Sequence, residues 1–520
     1  MAAAVSSMAY EDALDRLFSL KNRQVRGDGA DHMSQMPQYL KILELEEPIS
    51  KLKVIHVAGT KGKGSTCSFV ESILRNCGFN TGLFTSPHLI DIRERFKLQG
   101  VEVSQEKFRK YFWWCWKMLE EKTNDNFPMP AFFCFLTLLA FKIFAEDQVD
   151  VAIMEVGLGG KYDATNVVQT PVVCGISSLG YDHMQILGYT LAEIAGDKAG
   201  IFKKAIPAHT APQPEEAMHV LKDVASQLSV PLLVAPLLDI SQMNDQKLGL
   251  DGEHQYLNAG LAVSLCRTWL EQTGHLEAMG MDENSSVLSE HFIRGLATTR
   301  FPGRAQVVRD PHICLGVGKN TDFKRVRFYL DGGHTPESIE VCARWFSLAM
   351  EEDATKLKST NGLQQCNDSN AKYILLFNCM PVRDPRLLLP PLVAICADHG
   401  IYFHIAIFVH SQSAHNKNAF PTSDPLYVDL SWQEKLQNIW NEIICNDMRY
   451  NINDSSHEEK IDEQSSNASC YGSSLVFSSV PLAIKWIRDT TTQQNGAFHF
   501  QILTTGSLHL VGDVLHSINK

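Results

Sequence analysis

Residues 54–66, VIHVAGTKGKGST, constrain this chain more than any other stretch. A short β-branched run leads into a turn carrying three glycines, Gly59, Gly62 and Gly64, and a helix opens near Ser65. Backbone N–H groups at such a helix start face an anion, glycines let the anion come close, and Lys63 adds charge. The pattern reads as a nucleotide-phosphate loop with one part missing. A Ser or Thr directly after the lysine normally holds magnesium, and here Gly64 stands in that place; the first glycine of the usual pattern falls at Val57. Ser65 and Thr66 are left to cap the helix and bind phosphate. The alternative, a glycine-rich turn with a solvated lysine, is disfavoured by the strand before it and the helix after it.

The same strand-then-helix unit recurs. Over roughly the first 295 residues, strand candidates at 53–58, 81–84, 149–155, 172–177, 205–209 and 231–235 alternate with helical stretches at 65–77, 105–120, 131–145, 190–198 and 256–272. That alternation signals a parallel sheet wrapped by helices. A second series begins near Thr299, with strands expected at 305–309, 326–331, 373–377, 402–408, 474–479 and 499–505. The reading is α/β throughout: a phosphate-loop-containing parallel-sheet domain over 1–298, then a Rossmann-like α/β domain over 299–520, with ligands expected in a cleft between the two. Residues 351–371 and 446–472 are too polar to order themselves by burial and are expected to be mobile insertions.

Composition narrows the function classes. A formal net charge of -12 over 520 residues disfavours nonspecific binding to nucleic acid or anionic membranes, so no nucleic-acid partner is expected. Any polyanionic substrate must then meet a local basic pocket. Thirteen cysteines without a C-x-x-C pair read as buried thiols of a reducing compartment rather than as a disulfide or zinc framework. The longest apolar stretch, 131–145, contains Lys142 and is too short to span a bilayer. The N-terminus lacks the Arg-rich, acid-poor character of a transit peptide. A soluble cytoplasmic monomer is expected, and a mitochondrial or plastid form would need a longer N-terminus.

If the loop holds a nucleotide, hard ligands for its metal should come from neighbouring strand ends. Three stretches offer them. LFTSPHL puts Ser86 just past a strand; VAIMEVGLGG brings Glu155 to the end of a long apolar strand; CGISSLGYDHMQILG places Asp182 and His183 past another. A carboxylate ending a buried strand is costly unless it is paired or holds a cation, which favours a functional Glu155. His183 alone is as well explained as an ordinary loop histidine, because magnesium prefers oxygen.

Taken together and in this order, HVAGTKGKGST, LFTSPHL, MEVGLGGKYDATN, LGYDHMQILG, IAGDKAGIFK, TTRFPGRAQVV, YLDGGHTPESIE and TTGSLHLVG resemble the folylpolyglutamate synthases, members of the ATP-dependent amide-ligase superfamily that includes the muramyl-peptide ligases. The resemblance implies that Gly62, Lys63, Gly64 and Ser65 hold the phosphates, that Ser86 and Glu155 share one magnesium, and that His183 serves a second. It implies a carbamylated Lys198, a nucleotide-binding pair in Arg304 and Asp331, and a role for His334 and Arg383 in receiving the incoming glutamate. ATP, magnesium and potassium are the cofactors it implies, with reduced folates and L-glutamate as the other small-molecule partners. An ordinary ion pair between Lys198 and Asp197 is the alternative to the carbamate. Lys61 stands where bacterial members have asparagine, Phe301 where tryptophan is usual, and residues 310–325 lengthen one loop.

The chemistry implied is phosphorylation of a folate γ-carboxylate by ATP to an acyl phosphate, followed by attack of the glutamate amine. Two metals and Lys63 would screen the gathered negative charge. A dihydrofolate synthase activity by the same chemistry is an alternative, and so are a phosphate-loop ATPase switch and a binding protein that kept only the fold.

Overall fold

The computed structural model describes residues 9–21, 29–124, 127–277, 287–313, 326–360, 371–411, 428–446, 472–493 and 499–519. The chain forms two compact units, Met1–Phe301 and Pro302–Lys520.

The first unit is built on eight strands: β1 (Val54–Ala58), β2 (Thr81–Phe84), β3 (Phe96–Leu98), β4 (Val101–Glu102), β5 (Val151–Glu155), β6 (Val173–Ile176), β7 (Ala208–Thr210) and β8 (Leu232–Val234). Their order across the sheet is β4-β3-β2-β5-β1-β6-β7-β8. Strands β2, β5, β1, β6, β7 and β8 run parallel, and β3 and β4 add an antiparallel hairpin at one edge. Every residue of β1 and β5 is buried, as a strand covered on both faces requires. Register sets where the strands finish. Val57 lies beside Glu155 and Gly175, and Phe84 beside Met154. The C-terminal ends of β2, β5, β1 and β6 are therefore level to within a residue or so, and the loops that leave them meet at one sheet edge. The chain turns from one side of β1 to the other here, the switch point where open α/β sheets bind ligands.

The helix Lys63–Asn76 comes directly after β1 and packs its apolar side, Phe69, Val70, Ile73 and Leu74, into the core shared with the helices His254–Gln272 and Glu290–Thr298. The largely apolar Phe132–Glu146 lies in a second core with the aromatic helix Gln105–Glu120, where Phe112 and Trp116 stack on one another and meet Phe135. It is a buried helix, as its interrupting lysine suggested. No helix among the described residues is long and apolar enough to cross a membrane.

The second unit has six strands, β9 (Gln306–Arg309), β10 (Val326–Leu330), β11 (Ala371–Phe377), β12 (Phe403–Val409), β13 (Ser473–Phe477) and β14 (His499–Thr505), in the order β13-β12-β11-β14-β10-β9. All pairs are parallel except the edge pair β9–β10. Both sheets are thus of the α/β class read from the sequence. One expectation needs correcting. The helix Pro336–Thr360 runs through the first ten residues of the polar segment 351–371. Extending an already nucleated helix needs no buried face of its own, and Asp353 is tied to β10 by its ion pair with Arg327 and by the Tyr329 hydroxyl at 3.1 Å. Residues 361–370, most of 446–472 and residues 314–325 lie outside the described residues.

The helix that starts at Lys63 is held from behind by Gly295. A Cβ on Gly295 would lie 2.5 Å from Ile73 Cα and 2.8 Å from Ile73 N, and the Ser72 hydroxyl donates to the Gly295 carbonyl at 2.8 Å. Backbone atoms cannot swing aside as side chains do. Gly295→Ala is expected to lose about 1–3 kcal/mol of stability through forced overpacking, even though alanine gains about 1 kcal/mol in helix propensity. Urea unfolding of the two proteins checks this; a stabilised variant would mean that the two helices part at no cost.

Candidate active site

The loop after β1 is shaped by three close approaches. Gly59 has φ +144, and a Cβ there would fall 2.0 Å from the Ser177 hydroxyl at the end of β6. Gly62, with φ +82, caps the helix in the left-handed region, and its Cβ would fall 2.1 Å from Asn258 Oδ1. No side chain caps this helix start, so its first amides point out of the loop unclaimed by a cap. The loop is fixed from the far side by the β6 connection: the Thr60 and Lys61 amides both donate to the Ser178 carbonyl at 3.0 Å, and the Thr60 hydroxyl donates to the Gly180 carbonyl at 3.1 Å.

Gly64 answers why the usual hydroxyl is missing. A Cβ at this position would sit 2.7 Å from Phe301 Cζ and 3.5 Å from Glu155 Oε1. The space a serine or threonine would need is already filled by an aromatic ring and a carboxylate. Glu155 itself is 3% exposed and accepts the Ser86 amide on Oε2 at 2.8 Å. Gly64, Ser86 and Glu155, which the sequence offered from three separate strands, are thus gathered around one carboxylate.

Two lysines converge on the Gly59 carbonyl. Lys63 Nζ donates to the Gly59 carbonyl at 3.1 Å, and Lys198 Nζ donates to the same oxygen at 2.9 Å. Lys198 ends the helix Leu191–Lys198 and is buried. Burial first, then the neighbouring Lys63 charge, pushes its ammonium down to about 7, against the pull of Asp197, Asp182 and Asp163.

His183 lies on the turn that grips the loop. Its φ is +51, its ring is about half exposed, and the Asp182 before it sits 3.6 Å from Lys61 Nζ. Ser65 is buried in the first helical turn, and beside it the Thr66 hydroxyl is buried with no hydrogen-bond partner among the described residues, as is the Ser177 hydroxyl.

Asp163, to which the sequence reading gave no role, shapes the turn after Glu155. It accepts the amides of Gly157, Leu158 and Thr165, each at 3.0 Å, while burial pushes its carboxyl pKa up. That turn then locks onto the Lys198 helix: a Cβ on Gly160 would lie 2.7 Å from the Lys198 carbonyl oxygen. Asn258 and Gln255 were missed as well. They are buried, three residues apart on one helix, and bonded to each other at 3.0 Å. Their signal was present as polar residues at helical spacing among the apolar residues of the helix.

In the second unit, Arg304, Asp331 and His334 gather around Gly332. The Asp331 carboxylate accepts the Ala305 amide on one oxygen and the Gly333 amide on the other, both at 2.9 Å, tying the two loops together. A Cβ on Gly332 would lie 3.1 Å from Arg304 Nη1, and the Gly332 carbonyl accepts from His334 Nδ1 at 2.9 Å. A carbonyl cannot donate, so Nδ1 carries the proton and Nε2 is the basic nitrogen of the neutral ring. Arg383 stands apart in the turn after β11, with its amide on the Met380 carbonyl at 2.9 Å.

Residues 57–211 match the Mur ligase middle domain family. The chain is 52% identical to a folylpolyglutamate synthase of Arabidopsis thaliana, covering 100% of itself and 90% of that protein. It is 36% identical to the mitochondrial folylpolyglutamate synthase of Homo sapiens over 98% of itself and 92% of that protein. The solved structure of Mycobacterium tuberculosis folylpolyglutamate synthase complexed with ADP has the same fold, with a TM-score of 0.69 at 20% identity over 98% of this chain and 99% of that one.

The lowered Lys198 pKa carries a sign. The unfolded chain binds this proton up to about pH 10.5 and the folded chain only to about pH 7. The cost of burying Lys198 is therefore full below pH 7 and is relieved as pH rises from 7 toward 10.5. In CO2-free buffer, the stability gained by Lys198→Met should be greatest near pH 6 and shrink steadily above neutrality. Urea unfolding at several pH values checks it, and a gain constant across that range would show the amine to be unperturbed.

Proposed function

Because the chain belongs to the folylpolyglutamate synthase family, a family of ATP-dependent folate–glutamate ligases, we propose how its own residues carry that reaction: L-glutamate joined to the γ-carboxyl of a folate's terminal glutamate through an acyl phosphate. The observation that carries the proposal is the meeting, at the level ends of adjacent strands, of the buried Glu155 carboxylate on β5 and the glycine turn after β1, where a Cβ on Gly64 would lie 3.5 Å from Glu155 Oε1.

Gly62, Lys63, Gly64 and Ser65 cradle the phosphates through amides and one ammonium. Arg304 is assigned to the nucleotide as a guanidinium able to neutralise phosphate. Asp331, whose two oxygens each keep a second lone pair, accepts from a ribose hydroxyl. The donor set beside the loop suits magnesium. Glu155 and Ser86 offer hard oxygens side by side, and the described residues contain no group of three or more His, Cys, Asp or Glu that would form an all-protein cage. Magnesium is commonly held this way, by one or two carboxylates with phosphate and water completing the shell. Bound there, it screens phosphate charge and polarises the transferring phosphoryl group. His183 is assigned to a second ion.

Lys63 balances charge as the phosphoryl group moves to the folate carboxylate. Arg383 pairs with a carboxylate of the incoming glutamate. His334, with Nδ1 fixed on the Gly332 carbonyl, takes a proton from the glutamate ammonium through Nε2 and leaves an amine able to attack the acyl carbon. Lys198 is assigned to carbamylation. An amine pushed down to about 7 is substantially neutral at physiological pH, the form that adds CO2 and releases a proton. The product replaces a cation by an anion beside the Gly59 carbonyl. We assign the chain to the cytoplasm as a monomer.

Labelled glutamate should be incorporated into tetrahydrofolate, and ADP should form only with both acceptor and glutamate present. Equal ATP cleavage without folate would favour a phosphate-loop switch, and incorporation into dihydropteroate would add a dihydrofolate synthase activity. Gly64→Ala places a methyl group against Phe301 and Glu155 and should lower kcat/KM at least about tenfold, equivalent to about 1.4 kcal/mol in the barrier; Phe301→Leu in the same chain should recover part of it. Ser86→Ala should raise the magnesium needed for half-maximal rate more than Ser65→Ala does. The reverse order would move the metal ligand to Ser65.

A further inference from the structure

Between the helix Lys63–Asn76 and the β2–β3 pair lies a cavity of about 130 Å3, entirely within the first unit. Its wall includes Ser68, Glu71, Arg75, Lys97, Gly100 and Arg300, three cations against one acid. That acid is already engaged: Glu71 Oε1 accepts from Arg75 Nε at 2.9 Å and from the Thr81 hydroxyl at 2.8 Å. The cations keep donors in hand. Arg75 places Nε on Glu71 and Nη2 3.4 Å from the Ser72 hydroxyl, which leaves Nη1. Arg300 uses Nη1 on the Gly249 and Thr299 carbonyls, which leaves Nε and Nη2. Lys97 lies opposite Glu102 in the β3–β4 ladder and makes no hydrogen bond or ion pair among the described residues.

A second observation points to a ligand independently. The Ser68 side chain belongs to a residue only 4% exposed, and its hydroxyl is buried without a hydrogen-bond partner among the described residues. A serine inside a helix commonly turns its hydroxyl onto the carbonyl four residues back. This one does not, and its residue lines the cavity. Leaving such a buried group unsatisfied is costly unless a ligand meets it. Gly100, at φ +74, completes the arrangement, because a Cβ there would fall 2.8 Å from Arg75 Nε and displace the guanidinium.

We propose that this cavity binds a small tetrahedral dianion, inorganic phosphate, held by Arg75, Lys97 and Arg300 with the Ser68 hydroxyl as a further donor. The net lining charge of two positive units matches a dianion. The cavity's lining of three cations and a hydroxyl suits a compact anion. The site is separate from the phosphate loop: it begins at Ser68 and reaches Arg75, about 16 Å along the helix from Gly64 at 1.5 Å per residue. It stands whether or not the roles assigned to the loop residues hold.

The test uses the full chain without nucleotide, with Lys63→Ala as background to weaken the phosphate loop. Isothermal titration with inorganic phosphate at constant ionic strength should still show one site. Adding Lys97→Gln or Arg300→Gln should weaken it about tenfold each, a loss of about 1.4 kcal/mol per charge-assisted contact, and Lys97→Arg should retain it. Unchanged urea midpoints in phosphate-free buffer establish that the variants fold. Crystals soaked in tungstate should give an anomalous peak among Ser68, Lys97 and Arg300. The proposal is overturned if Lys63→Ala abolishes all phosphate binding, or if the Lys97 and Arg300 variants bind as tightly as the background. Glutamate incorporation is measured separately, so loss of this site and loss of the ligase reading are distinguishable.

Discussion

Taking a carboxylate out of water at the end of a parallel strand costs several kcal/mol unless something charged or hydrogen-bonded meets it. Glu155 is in that position, and much of the candidate site can be understood as the answer to its burial. The Ser86 amide meets one oxygen, the other faces the start of the helix after β1, and Phe301 closes the space above Gly64. The Ser86 amide and the helix start come from different strand ends, so their meeting at Glu155 works only because β2, β5 and β1 finish level in the sheet. The missing hydroxyl of the phosphate loop has its cause in the same crowding. A loop that brings its own metal ligand on the residue after the lysine needs a side chain there; a loop placed against a neighbouring strand's carboxylate needs none, and glycine is the residue that fits.

The positive side of the site is organised by one backbone carbonyl. Gly59 accepts from both Lys63 and Lys198, and two ammonium groups held that close raise each other's cost. For Lys198 the burden is relieved by a lowered pKa, since its side chain is buried and three aspartates are not enough to offset that. The turn Gly157–Gly160 links the two sides. Asp163 pins it after Glu155, and its glycines let it lie against the backbone of the Lys198 helix. Carboxylate and amine are thereby set relative to each other by a short, tightly packed stretch rather than by direct contact.

The strands, the glycine turn after β1 and the strand-end positions of Ser86 and Glu155 were legible because they depend on local pattern: β-branched runs, glycine spacing and a polar residue where an apolar run stops. What was not legible depends on contacts distant in sequence. Nothing near residue 64 signals that Phe301 will lie over it, and nothing near residue 62 signals Asn258. Asp163 appeared inside a quoted motif, but its role requires knowing that the turn before it folds back onto its carboxylate. The helix running on to Thr360 was misread for another reason. A polar composition shows that a segment cannot order itself, but not that a packed helix will extend through it.

The charge of the chain runs against its chemistry. A formal net charge of -12 should repel ATP, folate and glutamate alike. Screening limits that effect, because at physiological ionic strength exposed charges fade over about 8 Å. What a bound anion feels is set by the groups within that distance and by how little water separates them. Around the loop after β1 those groups are helix-start amides, Lys61, Lys63 and Lys198, with Asp182 beside Lys61 and the buried Glu155 carboxylate facing the helix start. Burial raises the strength of each such interaction and also threatens the charge of the amine that makes it. Lys198 has been carried far enough in that direction to be poised between charged and neutral. Two amines thus share one carbonyl, and in the buried one, Lys198, burial has loosened the hold on its proton.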